Sequence, residues 1–455
     1  MRSFDVVILG GGAGAKMIWG SVPGGSVAVI ESGLVGGHCP FFACVPSKAM
    51  LQTAATWRLA AHGQFTDLFT GGVSARQAYD QAVRRRDRLV HDRDDSAGAA
   101  ALAETGATLV RGHGRIARPG VVTVDGEEIG YRDLVLNTGS TPTVPDDIPG
   151  LDDIAAWTSE HAMSTAEYPD SLVIVGGGPV GCEMAYLFAA FGCTVTLVQR
   201  ASRLIPREEP EASQQMADTL EGLGVQVALS TTASEVQTQE GRTRVLLDTE
   251  YSVAADTLLF ATGRTPATTD IGLDTLGVVP DERGFLPTDE HCRVTGTDNV
   301  WAIGDAAGPA PFTHTAHYQG RVVAANLAGR PVRTDYRALP RTVYTDPTFA
   351  SVGHTEASAR QAGTEPVIAT AAVSDTVRAT IDGTTQGWLK LIADPHTGTL
   401  LGATATGGRA EEWISELSQA LRSEIPITDT TDVIHPFPTF SEELEGALWK
   451  LAPRF

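Results

Sequence analysis

The sequence predicts an α/β protein with two Rossmann-like dinucleotide-binding domains and a C-terminal α+β domain, and three observations carry that reading. An apolar strand, Asp5–Leu9, runs straight into the glycine cluster Gly10-Gly11-Gly12-Ala13-Gly14-Ala15. The same grammar returns at Leu172–Val175, followed by Gly176-Gly177-Gly178-Pro179-Val180-Gly181. After Tyr336 the pattern changes to short alternating strands and turns (Val343–Gly353, Trp388–Ile392, Leu400–Ala405), then to helical spacing over Glu411–Arg422 and Ser441–Leu451.

Each glycine turn is predicted to stand between a strand and a helix. There the first glycine permits the turn, the second lets a pyrophosphate approach the backbone, and the third allows close helix packing. In the first copy these are Gly10, Gly12 and Ala15, the last a tolerated replacement; in the second they are Gly176, Gly178 and Gly181. A second strand follows in each copy, Val27–Ile30 and Thr194–Val198. The first ends at Glu31, ~20 residues past Gly10, where a carboxylate accepts ribose hydroxyls. The second ends in Gln199-Arg200 with Arg203 close behind, cations suited to a 2′-phosphate. That favours NADPH; the alternative is that both arginines solvate the turn and Gln199 accepts NADH. Each copy closes with a strand entering a Thr-Gly turn, at Thr138-Gly139 and Thr262-Gly263, and the first carries extra length that contains Cys39 and Cys44. Thr141–Leu151, rich in Pro and Asp, reads as a hinge. A third strand, Val300–Ile303, ends in Gly304-Asp305 and precedes a helix over Thr313–Leu327. The predicted domains are 1–149 with 264–335, then 150–263, then 336–455.

With 34 basic and 55 acidic side chains in 455 residues, the net charge of −21 argues against nucleic acid or an anionic membrane as the main partner. Val6–Leu9 is broken at once by Gly10, so no leader or span is predicted there. Five cysteines, an odd and sparse set, suit a reducing compartment, and a cytoplasmic protein is expected. His38, His314 and His317 have no Cys or carboxylate cluster at ligand spacing, so no metal is predicted. Arg84-Arg85-Arg86 reads as a solvated helix face.

The sharpest segment is Gly36-Gly37-His38-Cys39-Pro40-Phe41-Phe42-Ala43-Cys44-Val45-Pro46-Ser47-Lys48. In a regular helix the two cysteines stand about 7.5 Å apart along the axis, beyond the usual disulfide span. A bridge therefore requires an irregular first turn, and the other reading is two unpaired buried thiols. With both glycine turns, both Thr-Gly strands, Gly304-Asp305, Tyr344–Gly353 and Pro438–Glu442, this segment makes the chain resemble the class I pyridine nucleotide–disulfide oxidoreductases: lipoamide dehydrogenase, glutathione reductase, mercuric reductase and their relatives. The likeness runs essentially end to end.

The resemblance implies an FAD site in the first copy and a nicotinamide nucleotide site in the second. Glu31 would hold the FAD ribose, Ser32, Gly37, His38, Gly114, Thr138, Gly139 and Gly304 would be further cofactor contacts, as would Gly263 at the end of the second copy, Asp305 would face the ribityl–pyrophosphate region, and Thr313 would sit beside the ring. Cys44 would face the flavin, Cys39 would exchange with substrate, and Lys48 with Glu183 would form an ion pair at the reacting end. A homodimer is implied, with Phe437 and Glu442 acting across to the partner. The departure from the family pattern is Phe437, where the acid/base His is expected; Glu442 is kept, and His435 lies two residues upstream. Phe41, Phe42 and Phe437 predict an apolar site and a small acceptor such as a disulfide, thioether or quinone. The alternatives are a dithiol oxidase, a carboxylase-like C–S-cleaving reductase and a non-catalytic flavin-binding partner.

Overall fold

The computed structural model describes every residue except Pro23, 63–71, Glu250, Pro309 and Thr385. The chain divides into two compact units, residues 1–49, 84–143 and 263–335 forming the first, and residues 50–83, 144–262 and 336–455 the second.

The first unit is built on a sheet in the order Thr108–Arg111, Val27–Glu31, Arg2–Leu9, Glu127–Leu136, Val121–Val124, Gly114–Arg118, with Val300–Ala302 added to Glu127–Leu136. Its central strands run parallel, in register Leu9 with Ile30 and Leu9 with Leu136. Both faces of the second half of Arg2–Leu9 are covered, so Val6, Val7, Ile8 and Leu9 form a continuous apolar run rather than an alternating one. The register leaves Gly10, Glu31 and Asn137 side by side at the carboxyl edge, where open α/β sheets bind ligands. Helix Thr313–Leu327 falls on the predicted residues.

The second unit repeats the design with strands Gln226–Leu229, Thr194–Gln199, Ser171–Val175, Thr257–Phe260 and Trp157–Thr158, all parallel. It also holds the antiparallel C-terminal sheet Pro340–Val343, Thr348–Gly353, Leu400–Gly407, Trp388–Ala393, Val367–Ala372, faced by helices Ala410–Arg422 and Glu442–Leu451. Lys390 of that sheet is 3% exposed and reaches Glu209, Glu211 and Glu356 at 3.1, 3.1 and 2.6 Å. This charge cluster ties the start of helix Pro210–Glu221 to the C-terminal sheet. Among the described residues no helix is long and apolar enough to cross a membrane.

Candidate active site

At the first sheet edge the backbone requires glycine. Gly10 has φ +95°, and a Cβ there would lie 2.2 Å from Asn137 O. Glu31 shapes the turn with both oxygens, accepting from Gly11 N at 2.6 Å and Gly33 N at 2.6 Å. Asn137 Nδ2 donates to Gly10 O at 2.8 Å. Gly12 and Gly37 meet back to back, since a Cβ on Gly37 would lie 2.8 Å from Gly12 Cα. The predicted helix after this turn is absent: Ala15–Met17 forms a single 3₁₀ turn. Gly20, Gly24 and Gly25 follow too soon for a longer helix before the chain enters Val27–Glu31. Ser32 is exposed next to Glu31. Gly114 owes its lack of side chain to Leu9 and Ile30, whose atoms lie 2.7 and 2.9 Å from where a Cβ would be.

A second layer of this edge was not foreseen. Gln319, 1% exposed, accepts from Gly304 N at 2.7 Å and donates to Gly308 O at 3.0 Å, fixing the turn that carries Asp305. Ser140 Oγ donates to Asp305 and accepts from Arg264 Nε at 2.7 Å. Arg264 Nη2 also reaches His38 Nδ1 at 3.2 Å; an arginine only donates, so that nitrogen accepts. Thr138 Oγ1 is buried with no protein partner, and Gly139 beside it, φ +75°, faces open space. An orphaned hydroxyl beside a glycine cradle fits a polar dinucleotide such as FAD.

The cysteine segment is irregular, as a close pair requires. A short helix His38–Phe41 starts after Gly37, φ +73°, and breaks at Phe42, φ −131°, before helix Cys44–His62. Cys39 and Cys44 stand as thiols whose side chains hydrogen-bond each other. Thr313 Oγ1 lies 3.3 Å from Cys44 Sγ and also bonds Cys39. The Cys39 thiol is pushed far above its ordinary range, by the hydrogen bond to Cys44 first and burial second, against smaller opposing effects of Thr313 and Lys48. Phe41 is buried, but Phe42 is half-exposed and carries the Arg93 guanidinium 5.7 Å from its ring centre. The site is therefore less apolar than the three phenylalanines suggest. Of the arginine run expected as a solvated face, Arg84 is exposed, but Arg86 is 1% exposed and paired to Asp87, and Arg85 is half-buried and donates to Ala49 O at 2.9 Å.

In the second unit Gly176, φ +114°, would place a Cβ 2.4 Å from Ala261 O, and Gly181 would place one 1.8 Å from Gly176 O. Gly178 opens to free space at the start of helix Pro179–Ala190, whose first N–H groups lack intrahelical partners. Gln199 Oε1 accepts from Gly177 N at 3.2 Å. Arg203 donates to Pro206 O at 2.7 Å within its own loop, and Arg200 is exposed. Glu183 is buried on the helix and accepts from Tyr344 N at 3.0 Å. Phe437 is 71% exposed, and Glu442 accepts from Thr439 N at 2.6 Å. His435 is committed elsewhere, its ring nitrogens 3.1 Å from Glu445 and 3.0 Å from Glu416.

Two sheets with glycine turns at the ends of their parallel strands, and a thiol pair beside the first, define a dinucleotide-dependent dithiol oxidoreductase. The chain belongs to the pyridine nucleotide-disulphide oxidoreductase family, which matches over residues 4–320, with its dimerisation domain matching over 339–448. Enzymes of this family bind FAD and typically use NAD(P)H. A mercuric reductase from Streptomyces lividans is 36% identical over 98% of this chain and 95% of its own. A dihydrolipoyl dehydrogenase from Halobacterium salinarum is 33% identical over 96% and 94%. The structure of a Cu(II) complex of the HOCl-induced flavoprotein disulfide reductase RclA from Escherichia coli superposes with a TM-score of 0.89 at 28% identity, covering 99% of this chain and 100% of that one.

Proposed function

We propose that the protein is an FAD-dependent, NADPH-preferring oxidoreductase whose Cys39 and Cys44 cycle between dithiol and disulfide and serve a small acceptor with an apolar reacting end. The observation that carries this reading is the mutual hydrogen bonding of the two thiols and the Thr313 hydroxyl, beside the glycine cradle. Residues 1–149 and 264–335 hold FAD, which when bound supplies the two-electron link between nicotinamide and thiols. Residues 150–263 take the nicotinamide nucleotide through Gly176, Gly178, Gly181, Arg200 and Arg203. Residues 336–455 join two copies into a homodimer, so that Phe437 and Glu442 serve the partner's cysteines. Lys48 and Glu183 supply the charge pair at the reacting end.

With a disulfide acceptor, the Cys39 thiolate attacks one sulfur and releases the other as a thiolate that takes up a proton. Cys44 then attacks Cys39, closing the internal disulfide and releasing the second thiol. Thr313 steadies the Cys44 thiolate by donating to it. With phenylalanine at 437 no imidazole draws the proton from Cys39, so the raised thiol holds the thiolate fraction low near neutrality. Turnover is expected to climb with pH. Phe437→His should flatten that climb and raise the rate near pH 7 by roughly 10²-fold, the lower end for a positioned acid/base. An unchanged profile, with flavin content intact, would show that the missing base does not limit exchange. The reading itself is tested by anaerobic NADPH titration across the visible spectrum. A long-wavelength absorbance band in the wild type that Cys44→Ser abolishes is expected; flavin bleaching alike in both would remove the thiols from the electron path.

A further inference from the structure

The loop between strand Thr194–Gln199 and helix Pro210–Glu221 carries Arg200 and Arg203, and it is fastened at both ends. On the inner side Ile205 N donates to Gly177 O at 2.8 Å, and Leu204 packs so closely that a Cβ on Gly177 would lie 2.6 Å from its Cδ2. A tight turn follows, closed by Glu208 N donating to Ile205 O at 3.0 Å, with Pro206 at the second position, which its fixed φ suits. Pro206 O, in the middle of that turn, accepts from Arg203 Nη2 at 2.7 Å. The turn therefore sets where the Arg203 guanidinium lies.

The outer end is held by the C-terminal sheet. Arg341, Ser351, Thr404 and Lys390 stand directly opposite one another on four successive strands, so their side chains share one face. Arg341 takes the Glu208 carboxylate in two-point fashion, at 2.8 and 3.0 Å, and Ser351 Oγ donates to it at 2.9 Å. Glu208 and Ser351 are both buried, so these charge-assisted bonds form out of water. Glu209 already ties the helix start to the sheet through Lys390, at 3.1 Å, so the Glu208 bonds act on the turn that precedes it.

We propose that Glu208 is a positioning residue for the nicotinamide nucleotide: with Arg341 and Ser351 it holds the Arg200–Arg203 loop where its guanidinium groups meet the adenosine 2′-phosphate. This role rests on the assignment of Arg200 and Arg203 to that phosphate, and it gives the C-terminal sheet a part in nucleotide selection. A guanidinium fork tells a phosphate from a hydroxyl by two-point geometry, which is lost once the loop that carries it swings.

The test needs no turnover: titration calorimetry of the flavin-loaded protein gives the ratio of its affinities for 2′,5′-ADP and ADP, which differ in the 2′-phosphate. The wild type should favour 2′,5′-ADP. Glu208→Gln keeps the shape and removes the charge; it should weaken 2′,5′-ADP about tenfold and ADP no more than about twofold. Ser351→Ala, a milder change, should shift the ratio the same way by about two- to threefold. Glu209→Gln loosens the neighbouring tie but not the turn, and should hold the ratio within about twofold of the wild type. In an Arg203→Ala background Glu208→Gln should shift the ratio less than it does alone, because both act through one guanidinium. A ratio unmoved by Glu208→Gln and Ser351→Ala, moved as far by Glu209→Gln, or moved equally in both backgrounds overturns the proposal. A wild-type ratio at or below one removes the NADPH reading, whereas a ratio that Glu208→Gln still moves keeps the positioning role.

Discussion

The two glycine turns share a backbone plan and differ in what they hold it with. Gly10 and Gly176 both take positive φ, and a Cβ on either would strike a carbonyl of the neighbouring strand, at 2.2 and 2.4 Å. At the adjoining strand end, however, the first turn is held by a carboxylate through two bonds of 2.6 Å, and the second by an amide through one of 3.2 Å. The first runs into a single 3₁₀ turn, Ala15–Met17, the second into the full helix Pro179–Ala190. Strand packing dictates the glycines alike in both. The strand-end residue is where the two turns differ in charge, and the following helix is where they differ in the length of an N-terminal dipole.

The largest effect is expected where the second turn has no slack. A Cβ on Gly181 would stand 1.8 Å from Gly176 O, backbone that cannot swing aside as a side chain would. Gly181→Ala should push helix Pro179–Ala190 off the turn and weaken NADPH binding about a hundredfold, about 2.7 kcal/mol, within the usual range for overpacking. Flavin content should be unaffected, because the first turn is built separately. A variant that binds NADPH normally would show that the second turn tolerates the substitution the first already carries at Ala15.

A smaller effect tests the charge difference. Gln199→Glu would give the second turn the acceptor of the first, with the backbone bond to Gly177 N retained. The carboxylate should repel a 2′-phosphate and accept ribose hydroxyls, lowering the NADPH-to-NADH ratio of kcat/KM by about tenfold, or about 1.4 kcal/mol. A ratio that does not move would place the discrimination elsewhere, in Arg200 or Arg203. Arg203→Ala, which also frees Pro206 O, separates those two cases.

How much of this could be read from the residues follows from distance along the chain. Strand, turn and following strand are local, and both sheet edges, Glu31, the helix Thr313–Leu327 and the irregular Cys39–Cys44 segment were all visible. Asn137, Gln319, Ser140 and Arg264 meet across long stretches of sequence, and no spacing announces their contacts, although Asn137 and Ser140 flank one Thr-Gly turn, Arg264 follows the other, and Gln319 lies on the expected helix. Within the arginine run, Arg84 is exposed as its charge suggests, and Arg86 departs for a different reason. A charged triplet suggests water, yet Arg86 shares its helix face with Ala82, Val83 and Val90 at the i−4, i−3 and i+4 positions, all buried. Periodicity there pointed inward, and the partner that makes burial tolerable, Asp87, was the next residue. The truncated first helix was also legible, since three glycines within Gly20–Gly25 leave no room for it.

That truncation yields the smallest and most discriminating expectation. If both turns needed a glycine at the third position for helix packing, Ala15→Gly would tighten the first site. The structure argues otherwise: Ala15 is fully buried at the start of a 3₁₀ turn, with its methyl in the core that also holds Ile18 and Val323. Removing that methyl forfeits about 0.8 kcal/mol of burial, and the new glycine costs roughly another 0.5–1 kcal/mol in backbone freedom. Ala15→Gly should therefore lower the melting temperature by a few degrees and leave FAD affinity unchanged. Tighter FAD binding would mean that the first turn is a strained copy of the second rather than a different solution to the same approach.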